Sequence, residues 1–225
     1  MMERKRYAII VAGGSGSRMG GDVAKQFMML GDRPILLHTI ENFFKLAKRP
    51  ELIVVVPHTL RDQWKSICKE YKFTISHILV SGGITRFHSV KNALKYVNPG
   101  ALVAVHDGVR PFASTQFIDS LYDEAEESGA VIPVLKVTDS LRIVDGINSK
   151  PVNRDDYVAV QTPQVFWSEY LLNGYEQAYS PEFTDDAAVV ESTGVKIKFA
   201  VGLTANIKIT KPEDMLLASA YLTSF

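Results

Sequence analysis

The chain has 225 residues, 46% of them apolar, enough for one good-sized core, and α/β chains of this length commonly stay a single domain, here taken as 1–225. Its 25 Lys and Arg balance 25 Asp and Glu, so no overall basic field gathers nucleic acid or an anionic membrane, and any anion site must be local. The single cysteine, Cys68, excludes an internal disulfide and a cysteine-based zinc site.

No stretch approaches the roughly 18 uncharged apolar residues of a spanning helix. The opening MMERKRYAII lacks a signal-peptide core with a small-residue cleavage site, so the expected compartment is the cytoplasm. The first apolar run, Tyr7–Ala12, predicts a strand. It leads into VAGGSGSRMGGDVAKQF (Val11–Phe27), which sets five glycines beside Arg18 and Lys25. Apolar positions at three- and four-residue spacing then predict a helix over Pro34–Leu46, followed by a strand at Leu52–Val56. A second helical pattern, Leu60–Tyr71, contains Cys68, read as a small buried hydrophobe rather than a reactive thiol. The strand Ile78–Val80, the helix Phe87–Val97, the strand Leu102–Val105, the helix Ser114–Ser128 and the strand Ala130–Leu135 complete a βαβα alternation. Several of these strands are apolar on consecutive residues, as strands covered on both faces are. The order predicts a mostly parallel sheet with helices on both sides, in which ligands collect beyond the carboxyl ends of the strands. The unusual residues sit there: the glycine loop after Ala12, SGG after Val80, and HDGVRP after Val105.

After Leu135 the rhythm changes. Residues 136–157 alternate around Asp145-Gly146, a hairpin turn signal, and predict a two-stranded arm. A lone hairpin cannot bury both faces, so the arm is expected to pack on something, and a second subunit's arm makes the protein a homodimer. Helical patterns return at Ser168–Tyr179 and Thr184–Glu191, followed by a strand at Lys196–Val201. The final helix, Lys211–Leu222, opens with TKPE, in which Thr210 can cap and Glu213 can reach back.

Three anion-binding loops compete for the glycine-rich stretch. A Walker A loop closes with Gly-Lys before Ser or Thr, and no Lys follows a glycine there. A dinucleotide fingerprint starting at Gly14 meets Met19 where its third glycine belongs, and Val56-Pro57 ends the second strand without a ribose-binding acid. The third is a triphosphate-wrapping loop of a nucleotidyltransferase, in which glycines admit backbone N–H groups to phosphate oxygens and Arg18 and Lys25 add charge. The plainer alternative is a turn carrying solvated surface charges.

AGGSGSRMG followed by AKQF (Ala24–Phe27) resembles the signature of cytidylyltransferases that make nucleotide-activated polyol phosphates, above all the 2-C-methyl-D-erythritol 4-phosphate cytidylyltransferase family. The likeness continues through GGITRFHSV (Gly82–Val90), HDGVRPF (His106–Phe112), VTDS (Val137–Ser140), VNRDD (Val152–Asp156), QTPQVF (Gln161–Phe166), FTDDAAVVE (Phe183–Glu191) and NIKITKPED (Asn206–Asp214). It spans almost the whole chain in the family's order. The resemblance implies a Rossmann-like three-layer α/β nucleotidyltransferase fold with a protruding β-arm, and attack of a polyol phosphate on the α-phosphorus of CTP. It implies Arg18, Lys25, Arg154 and Lys208 as catalytic cations. Ala12, Gly13, Gly14, Ser15, Gly16, Gly82, Gly83, Ser89 and Gly108 would hold the nucleotide, and Asp107, Arg110, Thr162 and Thr184 the polyol phosphate, the two threonines as hydroxyl donors. Thr184 has a rival role, since TDDA also fits a helix N-cap. Mg²⁺ is the implied cofactor, held mainly by the CTP phosphates, with Asp107 as the protein group facing it. The other partners implied are the two substrates and a second copy of the chain.

The sequence departs from the family pattern at Ile84, where an Asp is common; isoleucine cannot accept a hydrogen bond from the cytosine amino group, so base choice falls to backbone groups and pocket size. Milder departures are Ala24 for proline, Gly108 for alanine and Ser140 for threonine. His106 is expected to pack rather than to bind. A ribitol-5-phosphate cytidylyltransferase shares AGG and HDxVRPF, and VAGG and GVRPF favour it, whereas TDDAAVVE favours methylerythritol phosphate. A nucleotide- or NAD-binding module without transfer chemistry is the alternative from another class.

Overall fold

The computed structural model describes residues 4–14 and 24–223. The chain runs β1 (Lys5–Val11), a 3-10 turn at Lys25–Phe27, β2 (Met29–Leu30), β3 (Arg33–Pro34), α1 (Ile35–Phe44), β4 (Glu51–Val56), α2 (Arg61–Glu70), β5 (Ile78–Ser81), α3 (Arg86–Leu94), β6 (Ala101–Asp107), α4 (Thr115–Ser128) and β7 (Ala130–Lys136). The hairpin β8 (Leu141–Asp145) and β9 (Asn148–Val152) follows, then β10 (Val158–Val160), β11 (Gln164–Trp167), α5 (Ser168–Glu176), α6 (Asp186–Glu191), β12 (Lys198–Val201) and α7 (Pro212–Leu222). The sequence places the βαβα half correctly to within a few residues. Its helix starts are refined by caps: the Ser114 side chain accepts from the Phe117 amide to open α4, and Thr85 accepts from His88 to open α3.

The main sheet has the order β10-β7-β11-β6-β1-β4-β5, with β12 parallel on β7. Strands β6, β1, β4 and β5 are parallel neighbours, while β11 enters antiparallel between β6 and β7. That makes the sheet mostly parallel but mixed. Successive residues of the central strands face opposite layers. Ala8 and Ile10 join Leu36, Ile40 and Phe43 of α1 with side chains of α2 and α4. Tyr7 and Ile9 join Phe87 and Val90 of α3 with side chains of α5 and α6. A third cluster seats α7 on β2, with Leu30, Ile35, Phe112 and Ala218. The expected three-layer α/β architecture is therefore present. No helix among the described residues is long and apolar enough to cross a membrane.

Four strands escaped the sequence reading, β2 and β3 with two residues each, and β10 and β11. β10 and β11 are only three and four residues long, too short for an alternation to register. Two caps also fall one residue from where the motifs suggested. Asp185, not Thr184, is the N-cap of α6, its carboxylate accepting from the Ala188 amide at 2.9 Å. At α7 the N-cap is Lys211, and Asp214 rather than Glu213 reaches back, accepting from the amides of Thr210 and Lys211 at 2.7 and 2.9 Å. A carboxylate one bond shorter than Glu fits the first turn, and its place at N3 puts it over the orphan amides. The arm forms as expected, with Gly146 at φ +57° in a turn that pairs Asp145 with Asn148. It is a separate two-stranded sheet, and Ile143, Val144 and Ile147 are exposed on it.

Phe166 of β11 is fully buried in the layer that holds α3, α5 and α6. Phe166→Ala is expected to cost about 3–5 kcal/mol through lost burial and the cavity left behind; urea unfolding monitored by circular dichroism measures it.

Candidate active site

Three loops converge beyond the carboxyl ends of the parallel strands because each is bonded to the strand beside it. The Ala12 amide donates to Val55 O, the Gly82 amide to Val56 O, and the Gly108 amide to Val11 O, each at 2.8 Å. The glycine loop, the SGG loop and the HDG turn are thereby held side by side. Gly83 shows why one of these positions admits no side chain: a Cβ there would lie 2.3 Å from the Cβ of His88 and 2.9 Å from its carbonyl carbon. The Ser89 hydroxyl accepts from the Gly83 amide and donates to Thr85 O, each at 3.0 Å, bracing the turn from beneath.

Two cavities open on these loops. The larger, about 500 Å³, is lined by the Ala12–Gly14 backbone, Lys25, Gln26, Gly83 and Ser89, among others. The smaller, about 280 Å³, is lined by Arg110, Gln161, Thr162, Gln164, Thr184 and Asp185, among others. Arg86, Asp107 and Lys208 line both and form the wall they share.

At that wall Asp107 ends β6 and is buried among cations. Its carboxylate lies 3.0 Å from Lys208 Nζ, 3.3 Å from Arg110 Nε and 3.6 Å from Arg86 Nε. Burial alone would raise its pKa, but Arg86, Lys208 and Arg110 outweigh that and hold it well below the usual carboxylate range. The site thus keeps one ionised acid and three positive groups at the junction of its cavities. Lys25 sits in the 3-10 turn and also lines the larger cavity, its ammonium 4.0 Å from where a Cβ on Gly14 would be. The neighbouring Gln26 anchors that turn by donating to Ala12 O at 3.0 Å.

Behind the wall, His106 settles the local proton inventory. Its ring is fully buried against Phe43. Nε2 faces the Arg110 carbonyl at 3.0 Å, an acceptor only, so Nε2 carries the proton and Nδ1 must accept. Nδ1 lies 3.1 Å from the Thr162 hydroxyl, which also accepts the Asp107 amide at 3.1 Å. The single Thr162 proton is therefore committed to His106, so Thr162 is not the expected hydroxyl donor to substrate and can offer a ligand only its oxygen. Burial pushes the His106 pKa down to about 4. The packing role expected of His106 is what this geometry describes.

The remaining sequence-derived residues divide plainly. Ala12, Gly13, Gly14, Lys25, Gly83, Ser89, Asp107, Arg110, Thr162, Thr184 and Lys208 line one cavity or both. Gly82 lies directly behind Ser89, and Gly108 packs under Ala12 and Leu36, its amide already bonded to Val11 O. Arg154 lines neither cavity of its own chain; it sits in a 3-10 turn after the arm, donating to Thr138 O. Ser15, Gly16 and Arg18 lie outside the described residues. Ile84 is almost fully exposed at the rim of the larger cavity. Cys68 is half-buried in α2, and burial pushes its thiol up to about 11, as a packed and inert side chain requires.

Sequence reasoning missed Arg86, Gln26 and Asn206. The buried Asn206 side-chain amide donates to Thr162 O at 2.7 Å, and the Asn206 main-chain carbonyl accepts from Arg110 at 2.8 Å. All three lie within the family motifs, yet only the fold shows that Arg86 and Gln26 line a cavity and that Asn206 braces the wall from behind.

Mg²⁺ usually takes one or two protein carboxylates, substrate phosphates and water. The donor set fits that pattern and no richer one: Asp107 is ionised at the shared wall, and among the described residues no group of three or more His, Cys, Asp or Glu is disposed around a metal.

The low His106 pKa carries a stability consequence. The imidazole is neutral in the folded chain, whereas an unfolded chain takes up a proton below its ordinary value of 6.5. Stability is therefore lost as pH falls from 6.5 towards 4, by up to about 3 kcal/mol. Urea unfolding across that window is expected to show this loss, and His106→Asn to flatten it.

A family model described as 2-C-methyl-D-erythritol 4-phosphate cytidylyltransferase matches residues 7–224. The chain is 48% identical over 218 residues to the 2-C-methyl-D-erythritol 4-phosphate cytidylyltransferase of Bacteroides thetaiotaomicron, covering 97% of this chain and 100% of that one. It is 47% identical to the enzyme of the same name from Porphyromonas gingivalis strain W83, over 99% of this chain and 100% of the other. Among solved structures, a 4-diphosphocytidyl-2C-methyl-D-erythritol synthase from Anaerococcus prevotii superposes with a TM-score of 0.82 at 32% identity, covering 98% and 96% of the two chains. With the fold, the converging loops and the motif order in agreement, the chain belongs to the 2-C-methyl-D-erythritol 4-phosphate cytidylyltransferase family.

Proposed function

We propose that this chain transfers CMP from CTP to 2-C-methyl-D-erythritol 4-phosphate, giving 4-diphosphocytidyl-2-C-methyl-D-erythritol and pyrophosphate in isoprenoid precursor synthesis. The observation that carries the reading is the cationic wall of Arg86 and Lys208, set about Asp107, between two adjoining cavities. A phosphate oxygen of the polyol ester attacks the α-phosphorus; the new P–O bond forms as the bond to the β-phosphate breaks. A phosphate monoester is already mostly dianionic near neutral pH, so no strong base is needed. The barrier is the meeting of two anions, and fixed cations lower it without reorganising during the reaction.

In this reading the larger cavity takes CTP, with Ala12–Gly14 and Lys25 at the triphosphate and Gly83, Ser89 and the rim at Ile84 around the base. Arg18 acts with Lys25. The smaller cavity takes the polyol phosphate, with Arg110, Thr162 and Thr184 about it and Lys208 at the boundary. Asp107, together with the CTP phosphates, would hold Mg²⁺, which when bound would add positive charge at the triphosphate. Arg154 reaches the site from a second subunit. Its absence from the lining of both cavities of its own chain and the coreless arm with exposed Ile143, Val144 and Ile147 support a homodimer formed through the arms. The single cysteine suits the reducing cytoplasm, the expected compartment.

Measured pyrophosphate release from CTP should be fast with 2-C-methyl-D-erythritol 4-phosphate and slow with ribitol 5-phosphate; turnover with ribitol 5-phosphate alone would overturn the substrate assignment. Lys25→Ala is expected to lower kcat about 10²–10³-fold with a much smaller change in CTP affinity, because the lysine acts chiefly on the transition state. Unchanged kcat in that variant would instead favour a binding module. The solution mass at micromolar concentration should be that of two chains, and a monomeric mass would remove the arm-to-arm dimer.

A further inference from the structure

Arg86 stands at the junction of the two cavities, yet it projects from the first position of α3, where a long side chain has many rotamers. Its position is set from behind. Nη2 donates to Asp186 Oδ2 at 2.6 Å, the one hydrogen bond recorded for this guanidinium among the described residues. Asp186 lies in the first turn of α6 and is fully buried, and its other oxygen accepts the Tyr175 hydroxyl at 2.6 Å. Both oxygens of the carboxylate are thus engaged, which fixes its plane. The Tyr175 ring in turn stacks on Phe87, the residue after Arg86, with centroids 4.6 Å apart. The nearest Asp107 oxygen lies 3.6 Å from Arg86 Nε, longer than a hydrogen bond. The guanidinium is tethered at its rear and presents its cavity side to ligand.

We propose that Asp186 and Tyr175 are positioning residues for the transfer, holding the Arg86 guanidinium at the boundary between nucleotide and polyol phosphate. A guanidinium carries five donors in a rigid fork, so one tethered nitrogen leaves others to face phosphate oxygens arriving from either cavity. Untethered, the side chain would keep its charge but lose its aim, and a displacement of about 1 Å can cost on the order of 10²-fold in rate. The proposal rests on the CMP-transfer reading and adds to it a brace outside both substrates.

The test uses the full-length chain and steady-state pyrophosphate release. Asp186→Asn, close in shape, is expected to lower kcat about 10–100-fold while the KM for CTP changes little, and Tyr175→Phe, which keeps the ring stack, to lower it less. Arg86→Ala should lose rate and recover part of it in millimolar guanidinium chloride, whereas Arg86→Ala with Asp186→Asn should recover much less, because a neutral amide holds the added cation without the charge pairing. Loss of thermal stability alone would not produce that dependence of rescue on Asp186. The proposal is overturned if folded Asp186→Asn keeps the wild-type kcat, or if guanidinium rescues single and double variants equally. If the unaltered chain releases no pyrophosphate with any polyol phosphate, the transfer reading falls and the proposal with it. Wild-type turnover beside an active Asp186→Asn rejects the proposal only.

Discussion

The arrangement depends on one ionised carboxylate buried among cations. A lone buried carboxylate would be driven towards its neutral form, and three clustered cations would repel one another and their own scaffold. Asp107 and its neighbours resolve both problems at once. The acid keeps Arg86, Arg110 and Lys208 close before any anion arrives, and they keep the acid charged. The surplus of positive charge is what the site offers to phosphates.

Most of the surrounding structure serves to hold that cluster still. The parallel strands bring the three loops to one edge, and the amides of Ala12, Gly82 and Gly108 bind each loop to its neighbour. Below it, the chain from the Asp107 amide to Thr162, His106 and the Arg110 carbonyl ties the end of β6 to the residues before β11. Asn206 extends the tie, its side-chain amide donating to Thr162 O while its main-chain carbonyl receives Arg110. Thr162 and His106 each have a hydrogen-bond role forced by their neighbours, so the layer below the cavities is specific as well as apolar.

Much of this could be read from the residues before the fold was known. Apolar runs long enough to cross a sheet marked β1, β4, β6 and β7, and the loops after them held the glycines and charges that line the cavities. Lys25, Asp107 and Lys208 were legible because family motifs single them out. Arg86 was not, although it lies in a quoted motif, because an arginine at a helix start is ordinarily a solvated charge and only the packing of α3 against α5 and α6 turns it inward. β11 was illegible for another reason: four residues that are buried on both faces, follow a proline and pair with strands distant in sequence leave no local period. The caps of α6 and α7 were misread by a residue because TDDA and TKPED each offer adjacent polar groups, and backbone geometry chooses among them.

The half-buried sulfur of α2 has a practical side. Cys68 is the sole thiol of the chain and is held protonated at neutral pH. Thiol-directed probes therefore meet a quiet background, and a fluorophore or spin label placed on a cysteine engineered into the arm would report the motion of that arm with little competing signal.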